Sequence, residues 1–363
     1  RRVLFRSVSW LFTKKDDAVD GGKMKNLKKL SVLLLAGLML TACGKTENKK
    51  VEEKKDLPTE KVSFLLDWDP NVNHAGLYVA MDKGFFADEG IEVEVNQPPA
   101  NGVEALVASG KADFGVSFQD TIAPAFASDE PLPVTALAAI INHNTSGIFS
   151  AKDKNIERPK DMENHNHSTW GLPIEQAILK QVVEDDGGDF SKVNLVPGDV
   201  TNNIAAIQGK DIDTVWIFYP VDGVRAGMEN VPINYFAFKD INPIFDYYTP
   251  ILIANNDFLK NKEDVAKRFM RAFSKGYEYA AENPKEAAEI LVKLNPELDK
   301  DYTIKAMEYI ADKYKDDANY FGEINPERWN DFYAWLWENK LIDKEIPKDF
   351  GFTNDFVNPE KLK

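Results

Sequence analysis

The chain has 363 residues, with 59 Asp and Glu against 44 Lys and Arg, which gives a formal net charge of −15. The first 42 residues are basic on balance, so the remainder is more acidic still. Such a chain repels phosphate, and a nucleic-acid partner is therefore excluded. Its one Cys, Cys43, leaves no thiol pair for a disulfide or a Cys-based metal site. We expect neither a metal nor a cofactor.

The N-terminal part of the chain divides into three segments of different composition. Residues 1–23 are expected to be an assembly artefact or translated upstream sequence, with Met24 as the natural start. Residues 24–43 contain a basic stretch, an apolar run too short to span a bilayer permanently, and the tetrapeptide Leu-Thr-Ala-Cys. This order predicts a signal peptide, and its end resembles a lipobox in which Cys43 is lipidated. Residues 44–60 are rich in Lys and Glu and are expected to form a disordered tether.

The rest of the chain, roughly 300 residues, is too long for one simple core and predicts two lobes. A helix, a glycine and a strand follow one another at 101–118 and again at 202–218. This repeat predicts two halves of similar α/β build, each with a parallel sheet. We expect residues 61–153 and 250–363 to form the first lobe and residues 154–249 to form the second.

The segment 65–86 is the most informative stretch for function. An apolar strand ends at Asp67 and Trp68, a turn with Pro70 and Asn71 follows, and a helix begins near residue 75. In open α/β sheets ligands bind beyond the carboxyl ends of the strands, close to the next helix N-terminus. An aromatic ring and a carboxylate there suit a flat ligand with hydrogen-bond donors. The alternative is that Trp68 belongs to the core and Asp67 to the turn.

Other strand ends supply further polar and aromatic residues. Gln119 follows the strand that ends near residue 118, and Asn142 lies between two extended runs. Trp216, Tyr219 and Asp222 follow the matching strand of the second half. In the last helix Trp329, Phe332, Tyr333 and Leu336 recur at helical spacing, which indicates core packing rather than a cofactor site. His165 and His167 lie in a polar stretch, where a solvated loop is favoured over weak metal binding.

These residues give the chain a resemblance to a known family. The segments 65–80, 116–120, 215–223 and 247–254 resemble the substrate-binding proteins of ABC importers, in the branch related to the fungal thiamine-pyrimidine synthase. The bacterial lipoproteins of this branch bind formylaminopyrimidine, a thiamine precursor. The resemblance covers about residues 61–356, so it includes essentially the whole folded part.

The resemblance implies a two-lobed periplasmic-binding-protein fold of type II, with the ligand in the cleft between the lobes. The helical C-terminal part would pack on the first lobe. The protein would be a monomer, anchored by lipid on the outer face of the cell membrane, that delivers a pyrimidine to an ABC permease. The implied ligand-binding residues are Asp67, Trp68, Asn71, Tyr78, Gln119, Asn142, Trp216, Tyr219, Asp222 and Tyr248.

Three alternatives stay open at this point. A different small organic ligand is one of them, such as a riboflavin precursor, although a sulfonate is disfavoured because the strand ends offer no basic residue. An enzyme of pyrimidine synthesis is another, but the Cys-rich iron motif of the fungal relative is absent and His74 suits capping and packing better than catalysis. A structural surface protein would not need aromatic and acidic residues at successive strand ends.

Overall fold

A computed structural model describes residues 58–98, 102–198 and 200–363. Cys43, the signal peptide and most of the tether lie outside the described residues. The described strands are β1 (Glu60–Leu65), β2 (Ile91–Asn96), β3 (Phe114–Ser117), β4 (Val134–Ala139), β5 (Ser146–Ala151), β6 (Asn166–Thr169), β7 (Asn194–Pro197), β8 (Thr214–Phe218), β9 (Ile233–Ala237) and β10 (Ile251–Asn255).

The helices alternate with these strands and then follow one another in the C-terminal part. They are α1 (Ala75–Asp82), α2 (Phe85–Asp88), α3 (Val103–Ala108), α4 (Gln119–Phe126), α5 (Pro173–Asp185), α6 (Asn203–Gln208), α7 (Asp222–Met228), α8 (Phe238–Ile241), α9 (Asn256–Asn261), α10 (Glu263–Glu282), α11 (Pro284–Leu294), α12 (Lys300–Ile310) and α13 (Pro326–Glu338). In this part of the chain no helix has the length and apolar character needed to cross a bilayer.

The strands form two five-stranded sheets with the same internal order. The first sheet is β2-β1-β3-β10-β4 and the second is β7-β6-β8-β5-β9. In each sheet one strand, β10 or β5, runs antiparallel to both of its neighbours. The sheets are therefore mixed, and the prediction of parallel sheets is wrong for these two strands. Each of them is the first strand after the chain enters from the other sheet, so it is not joined to a parallel neighbour by a crossover within its own sheet.

The chain crosses between the sheets between β4 and β5 and returns between β9 and β10. The predicted end of the first-lobe segment at residue 153 is therefore wrong, because Ser146–Ala151 pairs with β8 and β9 of the second sheet. The two extended runs predicted here are β4 and β5. Both strands are buried, so their sequence patterns do not show which sheet each of them joins. The predicted return at residue 250 agrees with β10, which begins at Ile251.

The C-terminal helices pack on the first sheet, as predicted. On one face the ring of Phe114 in β3 stacks on Phe269 of α10, with 4.0 Å between ring centroids. On the other face α13 buries its predicted stripe, and Trp329 and Phe332 are fully buried. The two-lobed α/β fold therefore presents the ends of β1, β3, β6 and β8 to the space between its sheets.

Candidate functional site

A cavity of about 390 Å³ lies between the two lobes. The β3–α4 junction and the second crossing form one wall, and the β6–α5 turn and β8 form the other. Its volume lies in the range of small-molecule binding sites. The residues that line it are Phe118, Asp120, Thr121, Pro124, Trp170, Leu172, Pro173, Ile174, Glu175, Trp216, Phe218, Tyr247, Thr249 and Leu341.

Asp120 supplies the first-lobe wall with a carboxylate in the first turn of α4. Burial raises the pKa of the Asp120 carboxyl to about 6, although hydrogen bonds from its own backbone N–H, from that of Thr121 and from the Tyr247 hydroxyl act in the opposite direction. The neighbouring charge of Asp120 and burial together raise the pKa of Tyr247 well above its usual value, so its hydroxyl stays a proton donor. The first-lobe wall thus combines an acidic acceptor with aromatic surface.

Glu175 orders the opposite wall by hydrogen bonding to its own turn. One carboxylate oxygen accepts from the Thr169 hydroxyl at 3.0 Å and from the Leu172 N–H at 3.1 Å, and the other accepts from the Trp170 N–H at 3.1 Å. These three bonds use most of the acceptor capacity of the carboxylate. They also fix the backbone that carries Trp170, which is half exposed at the cavity.

Trp216 links the Trp170 ring to the interior of the second lobe. Its ring centroid lies 5.8 Å from that of Trp170 and 4.2 Å from that of Phe238. The indole N–H of Trp216 is buried without a hydrogen-bond partner. Aromatic surface arranged in this way suits a flat ring, which can pack against Trp170 at low entropic cost.

The electrostatics of the cavity favour a neutral or cationic ligand. Asp120 and Glu175 both line it, and none of its described lining residues is Lys, Arg or His. A carboxylate in such surroundings gains most from hydrogen-bond donors on the ligand. An anionic ligand would meet like charge without a compensating base.

Of the predicted site residues, Trp216 lines this cavity, whereas Gln119 and Tyr248 lie directly behind it. The Gln119 amide accepts from the Tyr248 N–H at 2.9 Å and donates to the Trp329 carbonyl oxygen at 2.9 Å. The Tyr248 hydroxyl accepts from the Asn325 N–H at 2.8 Å. Both side chains are fully buried. They tie α4, the second crossing and α13 together.

Asn142 and Tyr78 are also engaged in contacts within the protein. The Asn142 amide donates to Asp317 at 2.8 Å. Tyr78 of α1 is buried in the hydrophobic core and hydrogen-bonds with Asn295, and burial raises its pKa. Their predicted ligand contacts stay predictions, and the structure does not bring these two residues to the cavity described above.

Asp67, Trp68 and Asn71 lie together at the end of β1, outside the lining of the cavity. The His74 ring accepts the Asn71 N–H through Nδ1 at 3.2 Å, so its Nε2 carries a proton and donates to Asp67 at 2.6 Å. The Asn71 side chain in turn accepts from the Asn73 N–H at 2.9 Å. Trp68 is 69% exposed. His74 therefore acts in capping and packing, and Asp67 keeps one carboxylate oxygen outside this pair.

Tyr219 and Asp222 lie at the β8–α7 turn, away from the cavity. The Tyr219 ring packs between those of Tyr235 and Tyr309, with centroids 4.8 and 4.9 Å away. Asp222 hydrogen-bonds with Asn203, and burial raises its pKa. Because Tyr309 belongs to α12, this group forms a contact between the lobes.

His165 is partly exposed just before β6, but His167 does not lie in a solvated loop. His167 lies in β6 and is fully buried, and its Nδ1 lies 2.9 Å from the Thr214 hydroxyl. The sequence prediction was wrong because neighbouring polar residues hid a short strand of alternating burial. Across the described ranges, no group of three or more His, Cys, Asp or Glu is placed to hold a metal ion.

Sequence reasoning missed several cavity residues, namely Phe118, Asp120, Trp170, Glu175 and Tyr247. Asp120 and Tyr247 are immediate neighbours of the predicted Gln119 and Tyr248, so the segments were identified and the side chains were not. At a strand end, a shift of one residue in register reverses the direction in which a side chain points. For Trp170, the position after a strand and before a helix was an available signal.

Comparisons with known proteins identify relatives in sequence and structures of similar fold. The family model "NMT1/THI5 like" matches residues 71–287. A formylaminopyrimidine-binding protein of Halalkalibacterium halodurans is 29% identical over 91% of this chain and 99% of its own length. The 4-amino-5-hydroxymethyl-2-methylpyrimidine phosphate synthase THI11 of Saccharomyces cerevisiae is 23% identical over 69% of this chain and 75% of its own length.

Solved structures with the same fold include two sulfonate-binding proteins. The alkanesulfonate-binding protein SsuA of Xanthomonas axonopodis pv. citri superposes with a TM-score of 0.62 at 8% identity, over 82% of this chain and 99% of that one. SsuA of Escherichia coli gives 0.62 at 13% identity, over 79% and 95%. These likenesses confirm the two-lobed periplasmic-binding-protein fold. With the family model matching more than half of its length, the chain belongs to the NMT1/THI5-like family.

Proposed function

We propose that the protein is the solute-binding component of an ABC importer and that it binds an aminopyrimidine precursor of thiamine, formylaminopyrimidine or hydroxymethylpyrimidine, between its lobes. One observation carries this proposal. The interlobe cavity has aromatic walls and carries the Asp120 carboxylate, with no basic side chain among its described lining residues. The H. halodurans relative, named as a formylaminopyrimidine-binding protein, supports the same ligand class.

An aminopyrimidine matches this cavity in shape and in hydrogen bonding. Its ring is flat and can pack against Trp170, and its exocyclic amine donates N–H groups that Asp120 can accept. Closure of the lobes over the ring removes water, which strengthens those hydrogen bonds.

A sulfonate, the ligand class named for the SsuA structures, fits this cavity poorly. A sulfonate is an anion and requires Arg, Lys or a cluster of backbone N–H groups. Asp120 and Glu175 would instead repel it. The shared fold therefore does not extend to a shared ligand.

The proposed protein is a receptor rather than an enzyme, although relatives in the family are named as synthases. A cavity between two lobes that two chain crossings join suits the capture and release of a ligand. We further propose an extracytoplasmic monomer that is lipidated at Cys43 and delivers its ligand to a permease. Mass spectrometry of the membrane fraction tests the lipid, since a diacylglyceryl group would add its mass to the peptide that begins at Cys43.

Calorimetric titration with formylaminopyrimidine tests the ligand and the cavity together. We expect saturable one-to-one binding that is weakened about 10- to 100-fold by Asp120→Ala, because a hydrogen bond to a charged group is lost. Trp170→Ala should also weaken binding, whereas Trp337→Ala, which removes a half-exposed Trp outside the cavity, should not.

The same titration locates the ligand relative to the end of β1. If Trp68→Ala abolishes binding while Trp170→Ala and Asp120→Ala have no effect, the ligand lies beside Asp67 and the cavity assignment is wrong. If the folded wild-type protein binds neither pyrimidine, the proposed ligand class is wrong.

A further inference from the structure

We propose that Asp120 pairs with the aminopyrimidine through one shared proton, so that the cavity selects a ligand whose ring nitrogen can be protonated. This inference rests on the proposed function and deepens it. In the pair, one carboxylate oxygen accepts an N–H of the exocyclic amine, and the proton lies between the other oxygen and the adjacent ring nitrogen. No covalent bond forms or breaks.

Asp120 is the cavity carboxylate that is available for such a pair. Glu175 already accepts three hydrogen bonds from its own turn, which hold it in place. Asp120 also accepts three hydrogen bonds, but one of them comes from the Tyr247 hydroxyl, a side chain of the cavity wall rather than of its own turn, and Asp120 lines the cavity. The two oxygens of one carboxylate match the adjacent amine and ring nitrogen of a 4-aminopyrimidine.

Among the described residues that line the cavity or are named as acting on Asp120, none supplies a positive charge to offset its own. Glu104 of α3 acts on it as a like charge, and the hydroxyls of Tyr247 and Tyr333 approach from the second crossing and α13. Glu175 faces the same cavity from the other lobe. A neutral ligand that left Asp120 ionised would bury an uncompensated charge when the lobes close, and a shared proton removes that cost.

Protonation behaviour supports the same pairing. The pKa of Asp120 is raised to about 6 by burial, so the group exchanges its proton close to neutral pH. Above the pKa values of both Asp120 and the ring nitrogen, the complex must take up one proton from solvent. Below both values, binding must release one proton. Affinity therefore has a maximum between the two values and falls on either side.

Calorimetry at pH 5 to 8.5, in pairs of buffers with different ionisation enthalpies, measures this proton directly. With formylaminopyrimidine as the probe, we expect uptake approaching one proton at the alkaline end and a loss of affinity approaching tenfold per pH unit there. Asp120→Asn should bind without proton uptake and with an affinity that no longer falls at the alkaline end, because its amide offers one donor and one acceptor without titrating.

Glu104→Gln is the matched control, because it changes a nearby carboxylate that does not line the cavity. It should retain the proton uptake and the shape of the wild-type profile. Binding by the wild type without proton uptake, or an Asp120→Asn variant that retains the uptake, overturns this inference and leaves the proposed ligand intact. Absence of binding by the folded wild type at every pH overturns the ligand assignment and this inference together.

Discussion

Two histidines outside the cavity illustrate how strongly surroundings determine the behaviour of one residue type. His143 lies at the first crossing, and its Nδ1 is 2.5 Å from Asp246 of the second crossing. The hydrogen bond to Asp246 raises the pKa of His143. His167 is buried in β6, and burial lowers its pKa to about 3. Protonation of His143 therefore stabilises the folded state, whereas protonation of His167 destabilises it.

The resulting prediction concerns unfolding between pH 4 and pH 8. A raised folded-state pKa gives His143 a stabilising contribution that is present below its unfolded pKa of about 6.5 and is lost as pH rises through the folded value. His167 must take up a proton on unfolding, so it costs stability as pH falls below about 6.5. Urea titrations should show that His167→Gln is less sensitive to acid than the wild type, and that His143→Gln loses stability mainly below neutral pH. Parallel pH profiles for all three proteins would contradict both assignments.

The residues of the cavity show which side chains could be predicted from the sequence and which could not. Trp216 was named from the sequence, and the structure places it in β8, at the cavity. Asp120 was not, because Gln119, one residue earlier, has equally suitable chemistry and the sequence pattern does not fix which side chain turns inward at the start of α4. Trp170 directly follows the short strand β6, in the turn before α5, where the sequence does not show that its side chain faces the cavity.

The packing of α10 on α1 depends on glycines where the two helices meet. A Cβ on Gly276 would lie 2.1 Å from the carbonyl oxygen of Gly76 and 2.8 Å from the Cβ of Ala80. Gly276→Ala must push the helices apart, and we expect a loss of about 1–3 kcal/mol in the free energy of unfolding. Gly227→Ala is the control, since its Cβ would contact nothing within 4 Å and Ala favours a helix. Equal unfolding midpoints for the two variants would contradict this account of the packing.

Helix α12 connects the first lobe to the second across the cleft. The Tyr302 hydroxyl donates to the carbonyl oxygens of Pro220 and Val221 at 3.4 and 3.3 Å, and the Arg225 guanidinium lies 4.1 Å from the centre of the Tyr302 ring. These contacts stabilise the observed arrangement of the two lobes by cation–π attraction and weak hydrogen bonding, independently of the cavity.

We therefore expect the ligand-free protein to open when this contact is weakened. Small-angle X-ray scattering should give a larger radius of gyration for the Tyr302→Ala and Arg225→Gln variants than for the wild type. Lys305→Gln changes an α12 residue that pairs with Glu308 of the same helix, and it should scatter like the wild type. Unchanged scattering from folded Tyr302→Ala would show that α12 does not hold the lobes together.

For the whole molecule, the two lobes could be predicted because the same helix, glycine and strand order occurs twice and the length exceeds one core. The strand that each sheet takes up after a crossing could not be predicted. β5 and β10 are short, apolar and buried on both faces, so their sequences are compatible with either sheet. Their placement depends on long-range pairing, which is also why the expected boundary at residue 153 was wrong.

A crystal structure of the protein with formylaminopyrimidine tests the central claim most directly. We predict electron density for the pyrimidine ring in the interlobe cavity, in contact with Trp170, with its amine and a ring nitrogen within hydrogen-bonding distance of Asp120. Density for the ring stacked on Trp68 beside Asp67, with the cavity filled by water, would contradict the account and place the site at the end of β1.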